Sequence, residues 1–204
     1  MKLWNLRKRN KCNTSSVIKV GVMGSARGVG TTHLAVMLAN YYANGCGMKT
    51  CVVEFNDHKD YMRMCDVIGG IADRRHFTYK CIDFHVCDSG NAMADYMSGE
   101  YEVVIIDMAN DKSNTLEELK RCDIRLVTGA TDVWKVGRLE KLLSELEDMS
   151  VCMAVCGGNT KELRRLQKMY KVGLLEVPAE PDPLVIQSET LYKFRCFLGN
   201  VDRQ

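Results

Sequence analysis

The sequence predicts a doubly wound α/β fold with a mostly parallel sheet of seven strands. Short β-branched runs alternate with helical runs from Val17 to Leu198, the pattern that covers both faces of one sheet through right-handed crossovers. A glycine-rich turn, Gly24 to Gly30, joins the first strand to the first helix. No internal repeat or flexible linker interrupts the alternation. Residues 17–204 therefore read as one domain behind a basic leader of residues 1–16.

Val17 to Met23 is a short apolar run, as suits a central parallel strand buried on both sides. From Thr31 the positions Leu34, Val36, Met37 and Leu38 carry a helix that Gly45 or Gly47 stops, over residues 31–44. Residues 49–55 (KTCVVEF) form the second strand. Glu54, Asn56 and Asp57 crowd its C-terminal end, the end at which open α/β sheets bind ligands. A short helix over 61–68 breaks at Gly69-Gly70. The polar strand 81–86 (CIDFHV) suits a sheet edge, and the charged stretch before it, with Arg74, Arg75 and His76, has no readable period.

A short helix over 91–97 leads to residues 101–107 (YEVVIID), a β-branched strand ending in a carboxylate. Helix 116–121, strand 123–128, amphipathic helix 133–146 and strand 150–156 follow. Leu163, Leu166 and Met169 mark a helix over 161–170, and 173–177 is the seventh strand. Pro178, Pro181 and Pro183 mark a loop, and a last helix over 184–198 packs Phe194, Phe197 and Leu198 back on the domain.

Composition excludes several classes of function. Hydrophobic residues make up 46% of the 204, which suits a chain with a substantial core. Six of the 28 Lys and Arg fall within residues 1–19, leaving 22 against 26 acids in the rest; the acidic body argues against DNA as a ligand. Ten cysteines without a CxxC pair do not form a metal-site pattern. Those in predicted strands, Cys51, Cys81 and Cys152, read as small core residues of a reducing compartment, so the expected location is cytoplasmic. Nothing approaches the roughly twenty apolar residues of a membrane span. The leader MKLWNLRKRNK sets Leu3, Trp4 and Leu6 beside basic residues. It reads either as a peripheral membrane contact by residues 1–11 or as a solvated extension.

The turn carries the chemistry. A standard phosphate loop reads GxxxxGK[ST]: backbone N–H groups face the phosphates, Lys reaches their oxygens and Ser/Thr holds magnesium. Here Ser25 stands at the opening glycine, and Gly30, Thr31 and Thr32 occupy the G-K-T positions. Thr31 replaces the lysine, and a neutral hydroxyl cannot stabilise charge developing on a transferred phosphoryl group.

The run ARGVGTTH resembles the loop KGGxGKTT of the ParA/MinD-type deviant Walker A ATPases, a family that includes the pilus protein TadZ. Ala26 then takes the place of the signature lysine and Arg27 that of a glycine. Gly28, Val29 and Gly30 match, Thr31 replaces the phosphate-binding lysine, and Thr32 matches the magnesium-binding hydroxyl. The following LAVMLANYYANGCGMKTCVVEF is similar to the family's first helix and second strand, where Glu54 or Asn56 fills the place of an aspartate. Val103 to Asp107 resembles its later hhhhD segment. VPAEPDPL, beginning Val177-Pro178, resembles the loop that lies against the adenine base.

The resemblance implies a phosphate-loop NTPase-like fold. Its nucleotide-binding positions are Ala26, Arg27, Gly28, Val29, Gly30, Thr31, Thr32 and Pro178. It implies Mg2+ on Thr32 and Asp107, with Asp107 and Glu54 the catalytic candidates. Three readings of the altered loop stand: ATP or ADP bound with Mg2+ at little or no turnover, no nucleotide at all in a pure protein-interaction scaffold, or an active ATPase with a rearranged loop. The family also implies a homodimer and a protein partner from a localisation, pilus or secretion system.

Other residues weighed as sites have plainer readings. Asp57, His58 and Asp60 lack a third spaced metal anchor and read as a polar loop, and His33 reads as a surface or interface group. Trp134, Val136, Leu139, Leu142 and Leu143 read as a core-packing helix face, with Trp134 alternatively an oligomer contact.

Overall fold

In the computed structural model the described residues are 17–69, 71, 73–87, 96, 100–108 and 114–201. The leader, and the short helix expected over 91–97 apart from Tyr96, lie outside them. Eight strands form one sheet in the order β3-β4-β2-β5-β1-β6-β7-β8, one more strand than the sequence predicts. The strands are β1 Ile18–Gly24, β2 Thr50–Phe55, β3 His76–Tyr79, β4 Ile82–Val86, β5 Val103–Met108, β6 Ile124–Thr128, β7 Cys152–Cys156 and β8 Gly173–Val177. All neighbours pair in parallel except β3 with β4.

The additional strand is β3, inside the stretch whose period the charges hide. Of its four residues only Phe77 is buried, stacked on Phe84 of β4. A four-residue polar strand is a common way to blunt a sheet edge. The turn into β4 places Lys80 (φ 47°) and Cys81 (φ 61°) in the left-handed region, so Cys81 is an exposed turn residue and not part of the strand.

Six helices are described: α1 Thr31–Asn40, α2 Asp60–Ile68, α3 Thr115–Lys120, α4 Val136–Glu145, α5 Thr160–Tyr170 and α6 Ser188–Val201. The end of α1 widens into a π turn over Tyr41–Gly45, which closes as Met48 donates its N–H to the Tyr42 carbonyl at 3.0 Å. Helices α1, α2 and α6 bury Leu34, Met37, Leu38, Tyr61 and Phe194 on one face of the sheet. On the other face α3, α4 and α5 bury Leu119, Leu139, Leu142 and Leu166. The final helix starts four residues later than expected, because Glu180 holds the loop before it. Its carboxylate accepts from Gln187 N at 2.9 Å and from the Thr190 hydroxyl.

Burial on both faces explains why β1, β2 and β5 read as near-continuous apolar runs. Period-two alternation then fixes what the strand ends present. In β5, Val103, Ile105 and Asp107 point to the α1 side, as do Val52 and Glu54 in β2, and the register sets Asp107 beside both Val22 and Glu54. The carboxylates and the glycine turn therefore meet at one edge of the layer. Fold topology alone makes this juxtaposition.

Candidate functional site

A cleft of about 480 Å³ opens at the C-terminal ends of β1, β2 and β5. The turn after β1 forms one wall, from Gly24 through Thr32, and Asn56, His58, Asp60 and Asp107 form the other. Ser25 N donates to the Thr128 carbonyl at 2.9 Å, stitching the start of the turn to β6. Gly28 (φ 69°) and Gly30 (φ 88°) hold the left-handed backbone that bends the chain into α1. A Cβ at either would meet nothing within 4 Å, so the requirement for glycine there comes from backbone conformation, and the space beside it is open.

Helix α1 begins without a side-chain cap and without an acid in its first turn. The first amides of a helix lack intrahelical acceptors, and the helix dipole adds positive potential there. An anion fits that end.

The residue in the lysine position does not face the anion site freely. The Thr128 hydroxyl donates to the Met23 carbonyl at 3.3 Å, so in the 2.8 Å bond between the Thr31 and Thr128 hydroxyls Thr31 is the donor. A Cβ on Gly24 would stand 2.3 Å from the Thr31 hydroxyl oxygen. Gly24 and Thr31 are thus fitted to each other: the hydroxyl lies folded onto the base of the loop, its proton committed to β6.

Asp107, the penultimate residue of β5, is 1% exposed, and neither carboxylate oxygen completes a hydrogen bond of full geometry. Burial raises its pKa to about 7, and the charges of Glu54 and Asp60 push the same way; the nearby Thr32 and Tyr61 hydroxyls pull against them. The Tyr61 phenol is also buried without a partner, and burial raises its pKa. An unpartnered buried carboxylate next to a threonine hydroxyl fits a divalent cation, since hard cations take oxygen ligands and would hold the carboxylate ionised. The residues present therefore fit Mg2+.

Glu54 is placed otherwise. Its carboxylate accepts from Asp60 N at 2.6 Å and from Tyr61 N at 3.4 Å, so it caps α2 from the neighbouring strand. Burial raises its pKa, and those two amides lower it. Lys59, in the left-handed region at φ 58°, turns the chain so that the amides reach Glu54. Asn56 donates to the Asp107 carbonyl at 3.2 Å and accepts from His58 N at 2.9 Å, holding the wall opposite the glycine turn together.

Of the eight residues expected to bind nucleotide, Ala26, Arg27, Gly28, Gly30, Thr31 and Thr32 line the cleft; Val29 and Pro178 do not. Pro178 sits in the loop that Asn40 holds by donating to the Pro183 carbonyl at 3.2 Å. His33, His58 and Asp60, read from the sequence as surface or loop residues, line the cleft instead. The signal for His58 and Asp60 was their position just past a parallel strand's carboxyl end. Lys135 was not singled out; its ammonium donates to the Gly28 carbonyl at 3.3 Å, a contact over 107 residues of chain with no local signature. Trp134 is 75% exposed and precedes α4, so it is not part of the core face assigned to it.

The sheet order and the turn after its central strand make a mostly parallel α/β fold of the ParA/MinD type. The solved structures similar to it agree. A Borrelia burgdorferi protein described as a plasmid partition protein, bound to AMPPNP, matches with a TM-score of 0.66 and 12% identity over 92% of this chain and 98% of that one. The MinD cell division protein of Aquifex aeolicus matches at 0.66 and 15% identity, over 90% of this chain and 97% of that one. The septum site-determining protein MinD of Pyrococcus horikoshii, complexed with Mg-ADP, matches at 0.58 and 14% identity, over 87% and 86%. No protein-family model matches the sequence, and no curated protein does.

Proposed function

We propose that this chain is a ParA/MinD-like nucleotide-binding protein with little or no ATPase activity. In this reading it works in the cytoplasm as a dimer that positions or scaffolds a membrane-associated or polar assembly. One observation carries the proposal: the anion cradle and the unpartnered Asp107 are kept, while the residue in the lysine position spends its proton on Thr128. Binding through backbone amides needs no lysine. Turnover does, because removing one preorganised charge-stabilising donor slows chemistry by about 10²–10³.

Arg27, Gly28, Gly30 and the N-terminal amides of α1 would hold the phosphates, with Thr32 and Asp107 on Mg2+. Magnesium, when bound, would neutralise phosphate charge. Asn56 supports a low rate: it can hold Asp107's strand in place, but as an amide it cannot accept a proton from water. Glu54 is committed to α2 and is read as a structural carboxylate, not a base.

Similar folds bound to AMPPNP and to Mg-ADP support ATP or ADP as the ligand class. Among the described residues no helix is long and apolar enough to cross a membrane. The experiment is titration calorimetry with Mg-ATP and Mg-ADP, run beside a phosphate-release assay. Binding with negligible release supports the proposal. Release abolished by Asp107→Ala would instead favour an active ATPase with a rearranged loop, a reading that Arg27 supports because it lines the cleft without an ion pair among the described residues. No heat with either nucleotide leaves the interaction scaffold.

A further inference from the structure

We infer that Lys135, on the turn between β6 and α4, supplies the phosphate-facing ammonium that the loop itself lacks. The inference rests on the nucleotide-binding reading above and goes beyond it by assigning a cation from outside the loop. Lys135 is half-buried and donates at 3.3 Å to the carbonyl of Gly28, a residue that lines the cleft. An ammonium has three donors, and this contact is long and uses one of them. Among the described residues no carboxylate pairs with Lys135.

Arg27, one residue from Gly28, is likewise without an ion pair among the described residues. Among the described residues, two cations without an acidic partner therefore flank Gly28, in the part of the turn where a Cβ would meet open space. Like charges near one another repel, and a polyphosphate bound beside both relieves that repulsion. The geometry also explains why Thr31 can be withdrawn. A lysine there would forgo the bond to Thr128, and an ammonium beside the loop already comes from the β6–α4 turn. Lys135 follows Asp132 in a fixed turn, its N–H donating to the Asp132 carbonyl at 2.8 Å, so the backbone that delivers it is set before ligand arrives. The chemical class recognised is a di- or triphosphate, which offers several anionic groups to the α1 amides and to a cation beside the loop.

The test compares wild type with Lys135→Met, which keeps the apolar stem, and Lys135→Arg, which keeps the charge. Affinities for Mg-ATP, Mg-ADP and inorganic pyrophosphate are measured at two salt concentrations, with the melting temperature of each ligand-free variant alongside. Loss of one charge-assisted hydrogen bond predicts Mg-ATP binding about ten- to a hundredfold weaker in Lys135→Met. It also predicts a flatter salt dependence, an unchanged ligand-free melting temperature, and recovery to within about threefold in Lys135→Arg. Wild-type binding with Lys135→Met equally tight overturns this inference alone. A lower ligand-free melting temperature that Lys135→Arg restores, with affinity unchanged, assigns Lys135 to structure and overturns it too. Failure of the wild type to bind any of the three ligands overturns the nucleotide reading, and this inference with it.

Discussion

Replacing Asp107 with Asn should make the ligand-free protein more stable at pH 8 while removing its magnesium-dependent binding. Asp107 has a pKa of about 7 in the fold, chiefly through burial, against 3.8 for an ordinary aspartate. The folded state thus holds this proton more tightly than the unfolded chain does. Its stabilising effect is complete below about pH 4, declines as pH rises toward 7, and is gone above that. A gap of about three pH units corresponds to ~4 kcal/mol at 1.36 kcal/mol per unit. Asn is neutral at every pH, like the protonated acid, and occupies nearly the same volume. Asp107→Asn should therefore match wild type at pH 4 and exceed it by about 2–4 kcal/mol at pH 8. The assay is urea unfolding at both pH values, in EDTA and without nucleotide. A wild-type decline between pH 4 and 7 that persists undiminished in Asp107→Asn would refute the assignment of the strain to this carboxylate. A carboxylate kept at such a cost is an instance of a site being retained against stability.

Three further outcomes follow from the same geometry. Thr31→Lys should lose about 1 kcal/mol of stability with the Thr128 hydrogen bond, yet bind Mg-ATP about tenfold tighter or better by supplying an ammonium; calorimetry beside a melting curve reads both. Glu54→Ala leaves two amides of α2 without their acceptor, so unfolding should show a loss of about 1–3 kcal/mol, larger than for Glu54→Gln, which keeps an acceptor oxygen. Trp134→Ser should change monomer stability by no more than about 0.5 kcal/mol, because exposed side chains contribute little to the fold. Sedimentation in the presence of Mg-ATP should nevertheless show a weakened dimer if this exposed indole is part of the interface.

The alternation of strands and helices was legible because β1, β2 and β5 are buried on both faces and carry almost no polar residues to blur the period. The glycine turn and Asp107 were legible for a related reason: each lies at the C-terminal end of one of those strands. The eighth strand was hidden because β3 has a single buried side chain, Phe77, and its other residues answer to solvent. Trp134 misled because it stands just before the apolar run of α4, although the helix begins only at Val136. Glu54 and Asp107 look equivalent as strand-end acids, yet tertiary contacts separate them: one is satisfied by α2 and the other is left without a partner. Lys135 and the Thr31–Thr128 bond span 107 and 97 residues of chain, and no local pattern announces either.

The most direct measurement is the melting temperature of the wild-type chain across a Mg-ATP titration, with an EDTA control. A ligand at a hundred times its Kd stabilises the folded state by about 2.7 kcal/mol. For a chain of this size that corresponds to a rise of roughly 5–10 °C. Such a rise is expected, largely lost in EDTA. A melting temperature unmoved by millimolar Mg-ATP would contradict the nucleotide-binding reading.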